Sequence, residues 1–94
     1  MELITDKFEQ YCEEENYCKI KDYLKNFKQL ANYNNGAFLE IIADKGNLDI
    51  LKLFVENGAD INIDHNYVLY TCMYHHYDDC VQYLLANGAK NYFP

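Results

Sequence analysis

The chain has 94 residues and is 50% hydrophobic, which is one domain's worth of polypeptide with enough apolar content for a modest core and no compositional sign of disorder. Its net charge of −7, with 8 lysines, no arginine and 15 acids, argues against a nucleic-acid binder, which needs clustered cations to displace counterions, and suits basic partners instead. The chain lacks the run of about 18 apolar residues that a membrane span needs, and Met1-Glu2-Leu3-Ile4-Thr5-Asp6 has neither the basic start nor the apolar core of an export signal. The expectation is therefore an intracellular protein, cytoplasmic or nuclear, with Cys12, Cys18, Cys72 and Cys80 as reduced thiols.

Along the chain the dominant signal is self-similarity at an offset of 30 residues. Without gaps, the shift lays Asn57-Gly58-Ala59 on Asn87-Gly88-Ala89, Leu39 on Leu69 and Asp49 on Asp79. It also lays Ile50, Leu53 and Phe54 on Cys80, Tyr83 and Leu84. The backward shift is weaker but puts Phe8 under Phe38, Ile20 and Leu24 under Ile50 and Phe54, and Asn32 under Asn62. Three units follow within a single domain, 1–34, 35–64 and 65–94, the first a divergent N-terminal cap.

The first unit places polar Glu9, Lys19, Lys21, Asp22 and Lys25 on what would be an end of a stack. In the second, Phe38, Leu39, Ile41, Ile42 and Ala43 make one apolar helical face, and a second apolar set runs from Leu48 to Val55 after Gly46-Asn47. The pattern predicts helix, tight turn, helix. Gly46 suits a left-handed helix end, Asn47 a cap, Asp49 the first turn of the second helix, and Gly58 its end. The third unit repeats the plan with His76-Tyr77 in place of Gly46-Asn47, so that a retained turn puts His76 in the left-handed region and leaves Asp78 to cap. Tyr23 and Tyr83 share a register with Leu53 and read as packing. The apolar Cys80, Val81, Leu84 and Leu85, followed by Asn91-Tyr92-Phe93-Pro94, suggest an end face covered either by the tail or by another chain.

The run Gly46-Asn47-Leu48-Asp49-Ile50-Leu51-Lys52-Leu53-Phe54-Val55-Glu56-Asn57-Gly58-Ala59-Asp60-Ile61-Asn62 resembles the second helix and exit of the ankyrin repeat, and Asp79-Cys80-Val81-Gln82-Tyr83-Leu84-Leu85-Ala86-Asn87-Gly88-Ala89 resembles it again. The likeness implies an all-α helical solenoid of three helix-turn-helix repeats. Departures are a period of 30 where the family has about 33, and Ala37-Phe38-Leu39-Glu40 and Tyr67-Val68-Leu69-Tyr70 where the family opens with Thr-Pro-Leu-His. The shortening falls between Gly58 and Leu69 and predicts stunted hairpin loops. Ten Tyr, together with abundant Asn, Lys and Ile, match AT-rich codons, and short repeats of this composition resemble those of large DNA viruses.

The resemblance implies a protein partner, host or viral, bound on the concave face lined by first helices. By position the face offers Glu40, Asp44 and Lys45 in the second unit and Tyr70, Tyr74 and His75 in the third, with Tyr33, Asn34, Asp64, His65 and Asn66 in the loops. A self-associating structural protein built on the apolar C-terminal face is the alternative, so the chain is expected to be a monomer or a weak homo-oligomer.

Catalysis and cofactors find little footing. Cys72, His75, His76 and Cys80 resemble a zinc set in composition, and Cys72, His76 and Cys80 would be the core of a metal hydrolase. However, adjacent histidines on a helix diverge by about 100°, no Cys-x-x-Cys pair exists, and both cysteines align with Ile42 and Ile50. There is no serine, Glu13 to Glu15 and Asp78-Asp79 sit where helix ends meet solvent, and the four glycines are isolated rather than clustered into a phosphate loop. The reading is a non-enzyme with no metal and no cofactor.

Overall fold

The computed structural model describes residues 3–91 and holds six α-helices: α1 (Ile4–Glu13), α2 (Tyr17–Asn26), α3 (Tyr33–Lys45), α4 (Leu48–Glu56), α5 (Ile63–Tyr74) and α6 (Asp78–Ala86). A 3₁₀ turn, Lys28–Asn32, joins the first pair to the second, and the described residues form no strand. The helices pair as hairpins, first helices stacking on first (α1, α3, α5) and second on second (α2, α4, α6), over an extent of 48 × 19 × 18 Å.

The 30-residue register reappears as four columns of core side chains. Phe8, Phe38 and Val68 form one, Cys12, Ile42 and Cys72 the next, Ile20, Ile50 and Cys80 the third, and Leu24, Phe54 and Leu84 the last; none is more than 5% exposed. Each helix contributes residues four apart, which share a face one turn apart. Tyr23 and Tyr83 are half-buried against this core, as their register implies.

The tight turns follow the sequence closely. Gly46 is left-handed (φ 67) and the Asn47 side chain caps α4 by accepting from the Ile50 N–H at 3.0 Å. His76 adopts the same left-handed conformation (φ 60), and Glu15 takes it in the first unit (φ 54). One expectation needs correction: Asp78 is not the cap. Tyr77 occupies that position and makes no side-chain cap, because its ring is committed to the preceding repeat. It lies so close over Gly46 that a methyl there would stand 2.7 Å from ring carbons. Its hydroxyl donates to the Asp44 carbonyl at 2.9 Å, and the Cys80 thiol donates to the Gly46 carbonyl at 3.6 Å. The third turn thereby satisfies carbonyls that the end of α3 leaves without intrahelical partners.

In place of a hairpin loop, each connection between units ends in a left-handed turn that breaks the opening of the next helix: Asn34, Asn35 and Gly36 (φ 49, 56 and 82) within α3, and Asp64, His65 and Asn66 (φ 52, 55 and 65) within α5. Three such residues in sequence would cost roughly 1–2 kcal/mol each for ordinary side chains, and Asn, Asp, His and Gly are the types that tolerate the region best. At Gly36 a side chain is also excluded by space, since a Cβ would sit 2.7 Å from Ile63 Cγ2.

Asparagine clamps tie unit to unit. Asn32 donates to the Gly58 carbonyl (3.0 Å) and accepts from the Asp60 N–H (2.7 Å). Asn62, at the same register position, does the same with the Gly88 carbonyl (3.1 Å) and the Lys90 N–H (2.9 Å).

Of the apolar end face, Cys80 and Leu84 are buried within the stack, Val81 is half-buried, and Leu85 is exposed. The aromatic tail residues Tyr92, Phe93 and Pro94 lie outside the described residues.

Candidate protein interaction face

The side of the stack lined by α1, α3 and α5 carries two hollows. The larger, ≈ 330 Å³, lies where α3 meets α5 and is lined by Asp44, Tyr67, Tyr70, Thr71, Tyr74 and His75. Tyr74 is the most exposed of its tyrosines at 82%, and its ring meets His75 edge-on at 5.2 Å. His75 in turn stacks on Tyr77 at 5.3 Å, which links the hollow to the turn that docks on Gly46. The smaller, ≈ 200 Å³, lies between α1 and the first loop and is lined by Thr5, Asp6, Glu9, Tyr33, Asn34, Ala37 and Phe38. Tyr33 stacks on Phe38 at 5.6 Å with 46% of its surface still open.

Asp44, Tyr70, Tyr74 and His75 therefore come together as neighbours, while Tyr33 and Asn34 belong to a separate hollow. Glu40 faces the second loop, where its carboxyl lies close to that of Asp64. Partial burial, then the hydrogen bond that a protonated Glu40 gives Asp64 and the charges of Asp64 and Asp44, push the Glu40 carboxyl above its ordinary value. Lys45 turns to the first unit and pairs with Glu13 at 3.5 Å. His65 is exposed on its loop. Asn66 is not a surface residue: it is 1% exposed and its amide donates to the Lys90 carbonyl at 2.5 Å, so it holds the chain rather than offering a contact.

Residues 10–93 match the family model for ankyrin repeats, in three copies. The chain belongs to the ankyrin repeat family. No curated protein and no solved structure matches the chain. Ankyrin repeats are in general protein–protein interaction modules and are typically not enzymes.

Cys12, Cys72 and Cys80 are buried core residues, whereas Cys18 is exposed. Burial raises the thiols of Cys12 and Cys80 to about 12 and that of Cys72 to about 11, which disfavours the thiolate needed for nucleophilic attack or metal binding. His75 and His76 lie on the exposed side of the same turn, and among the described residues no group of three or more His, Cys, Asp or Glu side chains converges as a metal site.

Position alone missed Tyr67 and Thr71 in the larger hollow, and Asp6 and Glu9 in the smaller one. Tyr67 was within reach of the register, since it replaces Ala37 where α5 opens; a large aromatic in the place of a small residue is the signal.

Proposed function

We propose that this ankyrin protein holds a protein partner on its first-helix face, with Tyr70 and Tyr74 as principal contacts. The supporting observation is the hollow of ≈ 330 Å³ in which Tyr67, Tyr70 and Tyr74 are gathered beside Asp44. Tyr67 and Tyr74 are exposed and Tyr70 half-buried; tyrosines offer large rigid contact area with a polar tip and are enriched where proteins bind. The free thiols of Cys12, Cys18, Cys72 and Cys80 suit a reducing intracellular compartment.

Replacing Tyr70 and Tyr74 together by Ala should weaken capture of the partner from source cells at least tenfold, the scale of one aromatic hot spot, with helical circular dichroism unchanged. Undiminished capture would remove these residues from the interface. The alternative of self-association has less support, because Cys80 and Leu84 face the core and the last helix leaves outside it Leu85 and parts of Val81 and Tyr83. Light scattering at high micromolar concentration should report a monomer; a stable dimer would favour the alternative.

A further inference from the structure

The carboxylates of the second repeat and the tyrosines of the third stand in two rows. In the 30-residue register Glu40 aligns with Tyr70 and Asp44 with Tyr74, and α3 packs beside α5. Residues four apart lie one above the other on a helix, so a short acidic row runs alongside a short aromatic one. Asp64 joins the acidic row, its carboxyl lying close to that of Glu40. The lysine adjacent in sequence, Lys45, is engaged by Glu13 on the side of the first repeat. The aromatic row borders the hollow, which has room for one long side chain.

We propose that this hollow takes an arginine side chain from a basic segment of the partner protein. The inference rests on the first-helix face being the binding surface and names what the partner brings to it. The guanidinium plane lies on the Tyr70 and Tyr74 rings, where the ring quadrupole attracts a cation, and its N–H fork donates to the Asp44 carboxylate. An acidic side chain is repelled by Glu40, Asp44 and Asp64, and an apolar one strips water from them without supplying donors. Arginine fits better than lysine because a planar, weakly hydrated cation can both stack and pair. The net charge of −7 draws a basic segment toward the whole molecule, while the two rows select where it lands.

The test is titration of the ¹⁵N-labelled chain with an acetylated, amidated Gly-Gly-Arg-Gly-Gly peptide, its lysine counterpart, and its citrulline counterpart, which keeps the shape and loses the charge. The arginine peptide should shift the amides of Asp44, Tyr67, Tyr70, Tyr74 and His75 saturably, and the citrulline peptide should bind at least fivefold more weakly. Glu40→Gln with Asp44→Asn should lose at least fivefold, while Asp22→Asn with Asp49→Asn, the same charge change on exposed residues of the second helices, should stay within twofold.

Equal binding of citrulline, equal losses in the two double variants, or shifts that map elsewhere overturn the proposal. A lysine peptide that binds as tightly overturns the arginine assignment. Capture of the natural partner separates the two levels. If Tyr70→Ala with Tyr74→Ala abolishes it and Glu40→Gln with Asp44→Asn leaves it intact, the face stands and the arginine falls. If both pairs leave it intact, the face itself is wrong.

Discussion

Both joints carry an asparagine clamp, but the joint between the first and second repeats has aromatic rings at its core, whereas the joint between the second and third has smaller core side chains and two hydrogen bonds onto the end of α3. At the first joint Phe8 meets Phe38 edge-on at 4.9 Å and Phe54 at 5.9 Å, with polar ties from Lys45 to Glu13 and from Asn47 to Glu15 at the rim. At the second joint the same columns narrow to Val68, Cys72 and Cys80, and the contact is completed by the Tyr77 hydroxyl and the Cys80 thiol on the carbonyls of Asp44 and Gly46. The shared backbone register leaves side chains at a joint free to exchange apolar area for hydrogen bonds. Aromatic bulk that the third repeat does not place in its core stands outside it, as exposed Tyr67 and Tyr74 and half-buried Tyr70.

Gly46→Ala should break the second joint most severely. It places a side chain in the left-handed region, at roughly 1–2 kcal/mol, and drives a methyl into the Tyr77 ring, with overpacking of roughly 1–3 kcal/mol more. A loss of about 3 kcal/mol in urea denaturation is expected, whereas a loss under about 1 kcal/mol would mean that the ring can move aside.

The clamps sharpen the contrast between an inner and an outer joint. Asn32→Ala should lower global stability by about 1 kcal/mol, from two partly solvated hydrogen bonds lost within the stack. Asn62→Ala removes the equivalent pair, but Asn66 still holds the Lys90 carbonyl. Its effect should be faster amide exchange confined to residues 88–90 with little change in the denaturation midpoint, and equal global losses would contradict the distinction.

His76→Gly should stabilise the third repeat by about 0.5 kcal/mol, as relief from the left-handed cost is partly offset by the greater freedom of glycine in the unfolded chain. An unchanged midpoint would show that stacking of His75 on Tyr77 already sets the turn.

The smallest effect is expected at Glu40. Its folded carboxyl titrates above the ordinary 4.5, so the native state holds that proton more tightly than the unfolded chain. The stabilisation this gives is present below the unfolded value and is lost as pH rises through the folded one. Glu40→Gln should therefore melt slightly higher than the native chain at pH 7, and the difference should shrink toward pH 4; a difference that grows on acidification would reverse the sign.

Much of the fold was legible because each core column repeats at a fixed offset, and a burial pattern with helical spacing is written directly in residue type. Gly46, Asn47 and even His76 were readable from turn chemistry alone. The left-handed turns at 34–36 and 64–66 were harder to read: Asn-Asn-Gly and Asp-His-Asn announce tolerance of positive φ, but not that all three residues use it. Asn66 was misassigned for the same reason, since polarity suggested solvent and only the packed structure supplies the Lys90 carbonyl that lets it be buried. Tyr77 was opaque because its partners, Gly46 and the Asp44 carbonyl, belong to a neighbouring repeat some thirty residues back. Asp44, Tyr70, Tyr74 and His75, chosen by position, do line one hollow, but which residues meet there depends on how α3 lies against α5.

The asparagine clamps also bear on how such a chain can change length. Each grips only main-chain atoms, so it is indifferent to the side chains of the unit it holds and demands only that the next exit segment arrive at the right place. A tandem copy of residues 35–64 brings both halves of the coupling with it, an asparagine at its end and a Gly-Ala-Asp exit to be grasped. Growth by whole units therefore needs no new invention at the seam, while gain or loss of a single residue between Asn32 and Asp60 puts the coupling that spans it out of step.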